Sequence, residues 1–137
     1  MAVLVDTGVL VDWERDPEAE RLDKLIGDEE RAISVITMSE LLHGVHRATG
    51  ARRVRRRAFV EHLLGALDPL PITQPVARVH AEIWAELRSR GKVLGAHDLW
   101  IAATALTYGL GLATTNGRDF ARIRGLRVLA AEPQPPG

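Results

Sequence analysis

Asp6, Glu40, Asp98, Asn116 and Asp119 are the residues of this 137-residue chain whose types and settings could do chemistry together. Asp6 closes the apolar run at 2–5, and Glu40 falls in the first turn of a helical pattern. Asp98 falls in the first turn of an Ala-rich apolar stretch. Asn116 and Asp119 come after a second apolar run at 110–114. Carboxylates that converge repel one another and raise each other's pKa, a cost that a cation relieves. The chain has no cysteine, and its five histidines show no ligand spacing. Oxygen donors alone favour Mg²⁺ or Mn²⁺ over zinc. A hydrated Mg²⁺ on carboxylates is suited to phosphodiester hydrolysis.

The elements that would position these residues can be read from periodicity. Strands are expected at 2–5, 32–36, 110–114 and 127–130, each short and mostly apolar. Helices are expected at 8–15, at 17–26 with Pro17 in the first helical position, from Thr37 onward, at 51–67, over 76–90 and at 98–108. Residues 67–72, interrupted by Pro69 and Pro71, form an edge strand at best. Apolar strands separated by helices predict an α/β fold, a mostly parallel sheet covered on both faces. Ligands bind such sheets at the carboxyl ends of the strands. Each acidic residue is expected there.

Each also has a plain structural explanation. Asp6 could begin the turn Asp6-Thr7-Gly8. Glu40 completes a capping box with Thr37. Asp98 suits the positive end of a helix. Asn116-Gly117 is a turn signal, and Asp119 could cap the short helix after it. These explanations leave open why an acid falls at every strand end.

Four segments together resemble the PIN-domain ribonucleases, and among them the VapC toxins of bacterial toxin–antitoxin pairs. They are Val3-Leu4-Val5-Asp6-Thr7, Ser39-Glu40-Leu41-Leu42-His43-Gly44, His97-Asp98-Leu99-Trp100-Ile101-Ala102-Ala103-Thr104-Ala105 and Thr114-Thr115-Asn116-Gly117-Arg118-Asp119-Phe120. The resemblance spans nearly the whole chain. It implies a three-layer α/β/α sandwich with a mostly parallel central sheet and a single PIN-like domain over 1–131, while the Pro-rich composition of 132–137 reads as a flexible tail. It implies a Mg²⁺- or Mn²⁺-dependent endoribonuclease whose metal ligands are Asp6, Glu40 and Asp98. Asp119 would complete the acidic pocket, and Thr7 and Thr114 would orient the carboxylates. Asn116 stands where many relatives have Asp. Asp6 and Asp98 would hold the ion, and Glu40 would position or deprotonate the attacking water, leaving a 5′-phosphate and a 3′-hydroxyl. A VapB-like antitoxin that blocks the pocket, and a homodimer, are implied as partners.

An RNA substrate needs cations. Arg52, Arg53, Arg55, Arg56 and Arg57 form the densest patch, readable either as phosphate contacts or as a solvated helix face. Arg88, Arg90, Lys92, Arg118, Arg122 and Arg124 are further candidates. His97 beside Asp98 could be a pocket neighbour; His43 and His46 read as surface, and the three tryptophans as packing.

Composition bounds the alternatives. With 46% hydrophobic and 26% charged residues the chain is neither disordered nor fibrous. A formal net charge of zero argues against a simple DNA-coating protein. No apolar run approaches the roughly 18 residues of a membrane span. The N-terminal residues lack the basic start of a secretion signal, so a cytoplasmic protein is expected. Asp6-Thr7-Gly8 matches the aspartic-protease tripeptide, but that fold is all-β. A phosphatase with Asp6 as nucleophile would need a second acid at position 8, which is glycine. A PIN-like module that binds RNA or a partner without catalysis is the remaining alternative.

Overall fold

The computed structural model describes residues 2–16 and 21–132. Its elements in chain order are β1 (Ala2–Val5), α1 (Thr7–Arg15), α2 (Arg21–Ile26), β2 (Glu30–Ala32), α3 (Val35–Arg47), α4 (Gly50–Ala66), α5 (Gln74–Ser89), α6 (Ala96–Thr107), β3 (Gly111–Thr114), α7 (Gly117–Phe120) and β4 (Val128–Ala130). The four strands pair in the order β2-β1-β3-β4, every pair parallel.

Side chains alternate across a strand, and the sheet buries both faces accordingly. Val3, Val5 and Ala113 pack with Val9 and Leu10 of α1, Leu22 and Ile26 of α2, Leu41 and Val45 of α3 and Val60 and Leu63 of α4. Leu4 and Leu112 pack on the opposite face with Val76, Ile83 and Leu87 of α5, the Ala-rich α6 and Phe120 of α7. The result is the sheet covered on both faces that the pattern predicts, and the three-layer α/β/α sandwich that the resemblance implies. Among the described residues no helix is long and apolar enough to cross a membrane.

Two expected boundaries differ, and both bear on the site. The strand expected at 32–36 ends at Ala32, and Val35 and Ile36 already belong to α3. Ser34 is the N-cap, its Oγ accepting the Thr37 N–H at 3.0 Å. The β-branched run Ile33-Ser34-Val35-Ile36 looks like a strand, but one capping hydroxyl turns it into a helix start. The capping box expected at Thr37 is therefore absent, and Glu40 has no capping duty. At 67–72 only Leu70 pairs, through a parallel bridge with Ser34. The expected helix at 17–26 is present over Arg21–Ile26. Pro17 lies outside the described residues, as does the expected tail beyond Glu132.

Packing at α7 is tight. A Cβ built on Gly117 would stand 2.6 Å from the Cβ of Ala130 in β4. An alanine side chain has no rotamer to move out of the way, so the backbone must shift. Gly117→Ala is expected to cost about 1–3 kcal/mol, as overpacked sites do. Chemical denaturation measures it, and an unchanged midpoint would show that α7 shifts freely.

Candidate active site

The parallel register brings the first acid into place. Val5 pairs with Ala113, and the Asp6 N–H donates to the Ala113 carbonyl at 2.9 Å. Asp6 therefore stands beside Thr114 at the carboxyl edge of the sheet. It is the N-cap of α1: Oδ1 accepts the Thr7 N–H at 2.8 Å, and Oδ2 accepts the Thr114 hydroxyl at 2.7 Å. Only 7% of Asp6 is exposed. Burial pushes its pKa up, the Thr114 and Thr7 hydrogen bonds pull it back, and the charge of Glu40 adds to the rise. The turn explanation for Asp6 is thus correct but incomplete, because a cap alone does not require burial beside a second acid.

Glu40 arrives from α3. Its Oε1 accepts the Thr7 hydroxyl at 2.7 Å, linking α3 to the first residue of α1. Its Oε2 lies 3.5 Å from Nδ1 of His97, a mostly exposed side chain at the start of α6. Thr7 thus binds neighbouring acids with two different groups, the amide on Asp6 and the hydroxyl on Glu40.

Asp98 arrives from the first turn of α6. Its Oδ2 accepts from the Asn116 side-chain amide at 3.4 Å, while the Asn116 N–H donates to the Thr114 hydroxyl oxygen at 3.0 Å. The pKa of Asp98 is pushed up to about 6. Burial is the largest cause, with the charges of Asp6 and Glu40 next; the Asn116 hydrogen bond lowers it, and Asp119 raises it slightly. Carboxylates from three separate segments therefore act on one another, as convergence at one edge requires.

Asp119 is at the margin of this group. It is the weakest influence on Asp98, and its Oδ1 lies 3.4 Å from Arg122. Among the described residues no arginine or lysine pairs with Asp6, Glu40 or Asp98. None of their groups of three or more His, Cys, Asp or Glu side chains is arranged to hold a metal ion together. The available donors are carboxylate oxygens, two of them on acids that burial and mutual repulsion make reluctant to ionise.

The arginines of α4 divide. Arg52 is exposed. Arg53 donates from Nε to the Val45 carbonyl at 3.2 Å and from Nη2 to the His46 carbonyl, binding the last carbonyls of α3. Arg56 lies over Gly44 and faces Glu14 of α1. Trp13 packs on Phe59, and Trp100 stacks on His80. Trp84 is half exposed and meets His80 edge-on, ring centroids 5.9 Å apart. Position 8 is glycine, so the second acid that a phosphatase site needs there is absent.

Three contributors were missed in the sequence. Ser34 starts α3 and so sets where Glu40 points. Thr37, fully buried, accepts a hydrogen bond from Ser34 beneath the site. Glu14 pairs with Arg56. The only local signal was a serine inside a β-branched run.

A family model described as PIN domain matches residues 3–126. The chain is 35% identical over 130 residues to Ribonuclease VapC1 of Rickettsia felis, covering 94% of this chain and 96% of that one. It is 35% identical over 96 residues to the tRNA(fMet)-specific endonuclease VapC of Salmonella typhimurium, covering 70% and 71%. Among solved structures it is similar to VapBC-5 of Mycobacterium tuberculosis, a member of a toxin–antitoxin family (TM-score 0.79, 29% identity, 96% of this chain and 100% of that one). It is also similar to DNA-bound VapBC of Salmonella typhimurium (TM-score 0.81, 29% identity, 93% and 96%).

Proposed function

This chain belongs to the PIN-domain family and to its VapC ribonucleases, and on that premise we propose that it is the toxin of a toxin–antitoxin pair. In this reading it hydrolyses RNA phosphodiester bonds at the Asp6, Glu40 and Asp98 site with a divalent cation, Mg²⁺ or Mn²⁺, and a VapB-like antitoxin restrains it. One observation carries the reading: three acids, from the end of β1, from α3 and from α6, meet at the sheet edge with Asp98 raised to about 6 and no arginine or lysine partner among the described residues.

The donor set fits such an ion. Mg²⁺ keeps several waters and takes only one or two carboxylates from a protein. The absence of a three-ligand cage among the described residues agrees with that habit. Asp6 and Asp98 would hold the cation, Asp6 fixed by Thr114 and Thr7, Asp98 by Asn116. When bound, the cation supplies phosphoryl polarisation and a more acidic water. Glu40, oriented by Thr7, positions the attacking water and accepts its proton as the bond from phosphorus to the 3′-oxygen breaks. Asn116 offers a neutral amide where a further carboxylate would add to the repulsion on Asp98. Asp119, tied to Arg122, shapes the field at the margin.

The test is cleavage of single-stranded RNA by chelator-treated protein. No cleavage is expected until Mg²⁺ or Mn²⁺ is restored, and the products should carry 3′-hydroxyl ends. Cleavage that ignores the chelator, or leaves 2′,3′-cyclic phosphates, defeats the reading. Binding to the native state alone also stabilises it, by about 2.7 kcal/mol at a hundredfold excess over Kd. Millimolar Mg²⁺ or Mn²⁺ is therefore expected to raise the melting temperature, and Asp98→Asn to remove most of that gain. An unchanged melting temperature would mean that these acids do not hold an ion.

A further inference from the structure

Of the three half-buried arginines among the described side chains, Arg31 and Arg122 donate hydrogen bonds and Arg56 donates none. Its Nε is buried without a hydrogen-bond partner. The nearest acid oxygen is Glu14 Oε1, at 3.5 Å, and the two side chains are 22% and 20% exposed. A guanidinium carries five donors in a rigid fork that matches carboxylates and phosphates. A buried nitrogen left without a partner calls for one.

The position of Arg56 says which partner. The group lies over Gly44, where a Cβ would stand 3.6 Å from Nη1. Gly44 is one helical turn, about 5.4 Å, beyond Glu40 on α3. Glu14 keeps the charge from being orphaned, yet at 3.5 Å it does not use the fork. The neighbouring Arg53, which donates from Nε and Nη2 to the last carbonyls of α3, shows what a structural arginine looks like on the same helix.

We propose that Arg56, seated over Gly44, binds a backbone phosphate of the RNA next to the bond that is cut, with Glu14 as its partner while RNA is absent. The proposal rests on the nuclease reading and deepens it. A phosphate can accept two parallel hydrogen bonds from the fork, so it replaces Glu14 with better geometry. Its place one turn from Glu40 holds the strand in register with the acids.

The test uses fluorescence anisotropy of a labelled single-stranded RNA, in an Asp98→Asn background so that nothing is cut, across a salt series. Arg56→Gln should raise Kd about tenfold, roughly 1.4 kcal/mol. It should also flatten the slope of log affinity against log salt by about 0.7, the share of one phosphate on a single strand. Arg56→Lys should restore the slope but not the full affinity. Glu14→Gln should tighten binding by removing the charge that competes with the phosphate for Arg56. The parent slope in Arg56→Gln overturns the proposal, as does a Glu14→Gln protein that binds no tighter. If Arg56→Gln does not fold, the lysine and Glu14 variants decide. An Arg56→Gln protein that keeps RNA affinity but releases the co-expressed antitoxin assigns the arginine to that partner and overturns the proposal. Absence of cleavage by the parent chain sinks the nuclease reading separately, because the salt slope judges Arg56 on binding alone.

Discussion

Asp98→Asn is expected to lower RNA cleavage by at least about a hundredfold and, at neutral pH in chelator, to raise the melting temperature. The two effects have one origin. Removing one group preorganised for the charge of the transition state typically costs about 10²–10³ in rate. The same charge destabilises the metal-free fold, because burial and the charges of Asp6 and Glu40 raise the Asp98 pKa from 3.8 to about 6. Between those values the folded state holds more protons than the unfolded state, so stability falls as pH rises through this window. Below about pH 4 both states are protonated and nothing is lost; above about pH 6 the full penalty is present. A shift of about two units corresponds to about 3 kcal/mol. Asp98 is only half buried, and solvent screening reduces this to about 1–2 kcal/mol. An amide of the same shape never carries the charge. Melting curves of the two proteins in chelator should therefore separate at about pH 7.5 and converge near pH 4. Cleavage at the parent rate would remove Asp98 from the chemistry. A lower melting temperature for the variant at the higher pH would show that the carboxylate is not under strain.

Phe120→Ala should be the most damaging substitution for stability. Phe120 is fully buried on the α5–α6 face of the sheet and is the last residue of α7. Large-to-small changes at such sites cost about 3–5 kcal/mol, the lost burial plus the cavity left behind. For a chain of this size that lowers the melting temperature by roughly 10–20 °C. The effect reaches the site, because α7 carries Asp119 and is preceded by Asn116, the hydrogen-bond donor to Asp98. Phe120→Leu, which fills most of the volume, should lose about 1 kcal/mol and keep cleavage. Denaturant unfolding with an unchanged slope and a lower midpoint would confirm a stability effect alone. A loss below about 1 kcal/mol for the alanine variant would mean that α7 is not anchored by this ring.

Much of the fold was legible in the residues themselves. Apolar runs ending in Asp6 and in Thr114-Thr115-Asn116 place residues at strand ends, since a buried parallel strand must be apolar throughout and the first polar residue marks its exit. The Ala-rich stretch behind Asp98 reads as a buried helix, as α6 is. Harder to see was the start of α3. Ile33 to Ile36 has strand-like side chains, and whether such a run extends or coils depends on one hydroxyl reaching the Thr37 N–H. That reach is tertiary, because Ser34 is held by the parallel bridge to Leu70. The arginines of α4 show the same limit. Close in sequence and equal in charge, Arg53 and Arg56 part company only because one meets the end of α3 and the other meets Gly44 and Glu14.

Sequence alone determined the layers, the sheet edge and the acids that occupy it, because hydrophobic period and the identity of the first polar residue after each strand are local properties. Tertiary structure decided which acids share charge, that Thr7 and Thr114 bind them, that Glu40 is free of capping and that Arg56 keeps its donors unspent. Those are questions of distance between segments up to 108 residues apart, and burial multiplies small distances into large electrostatic differences.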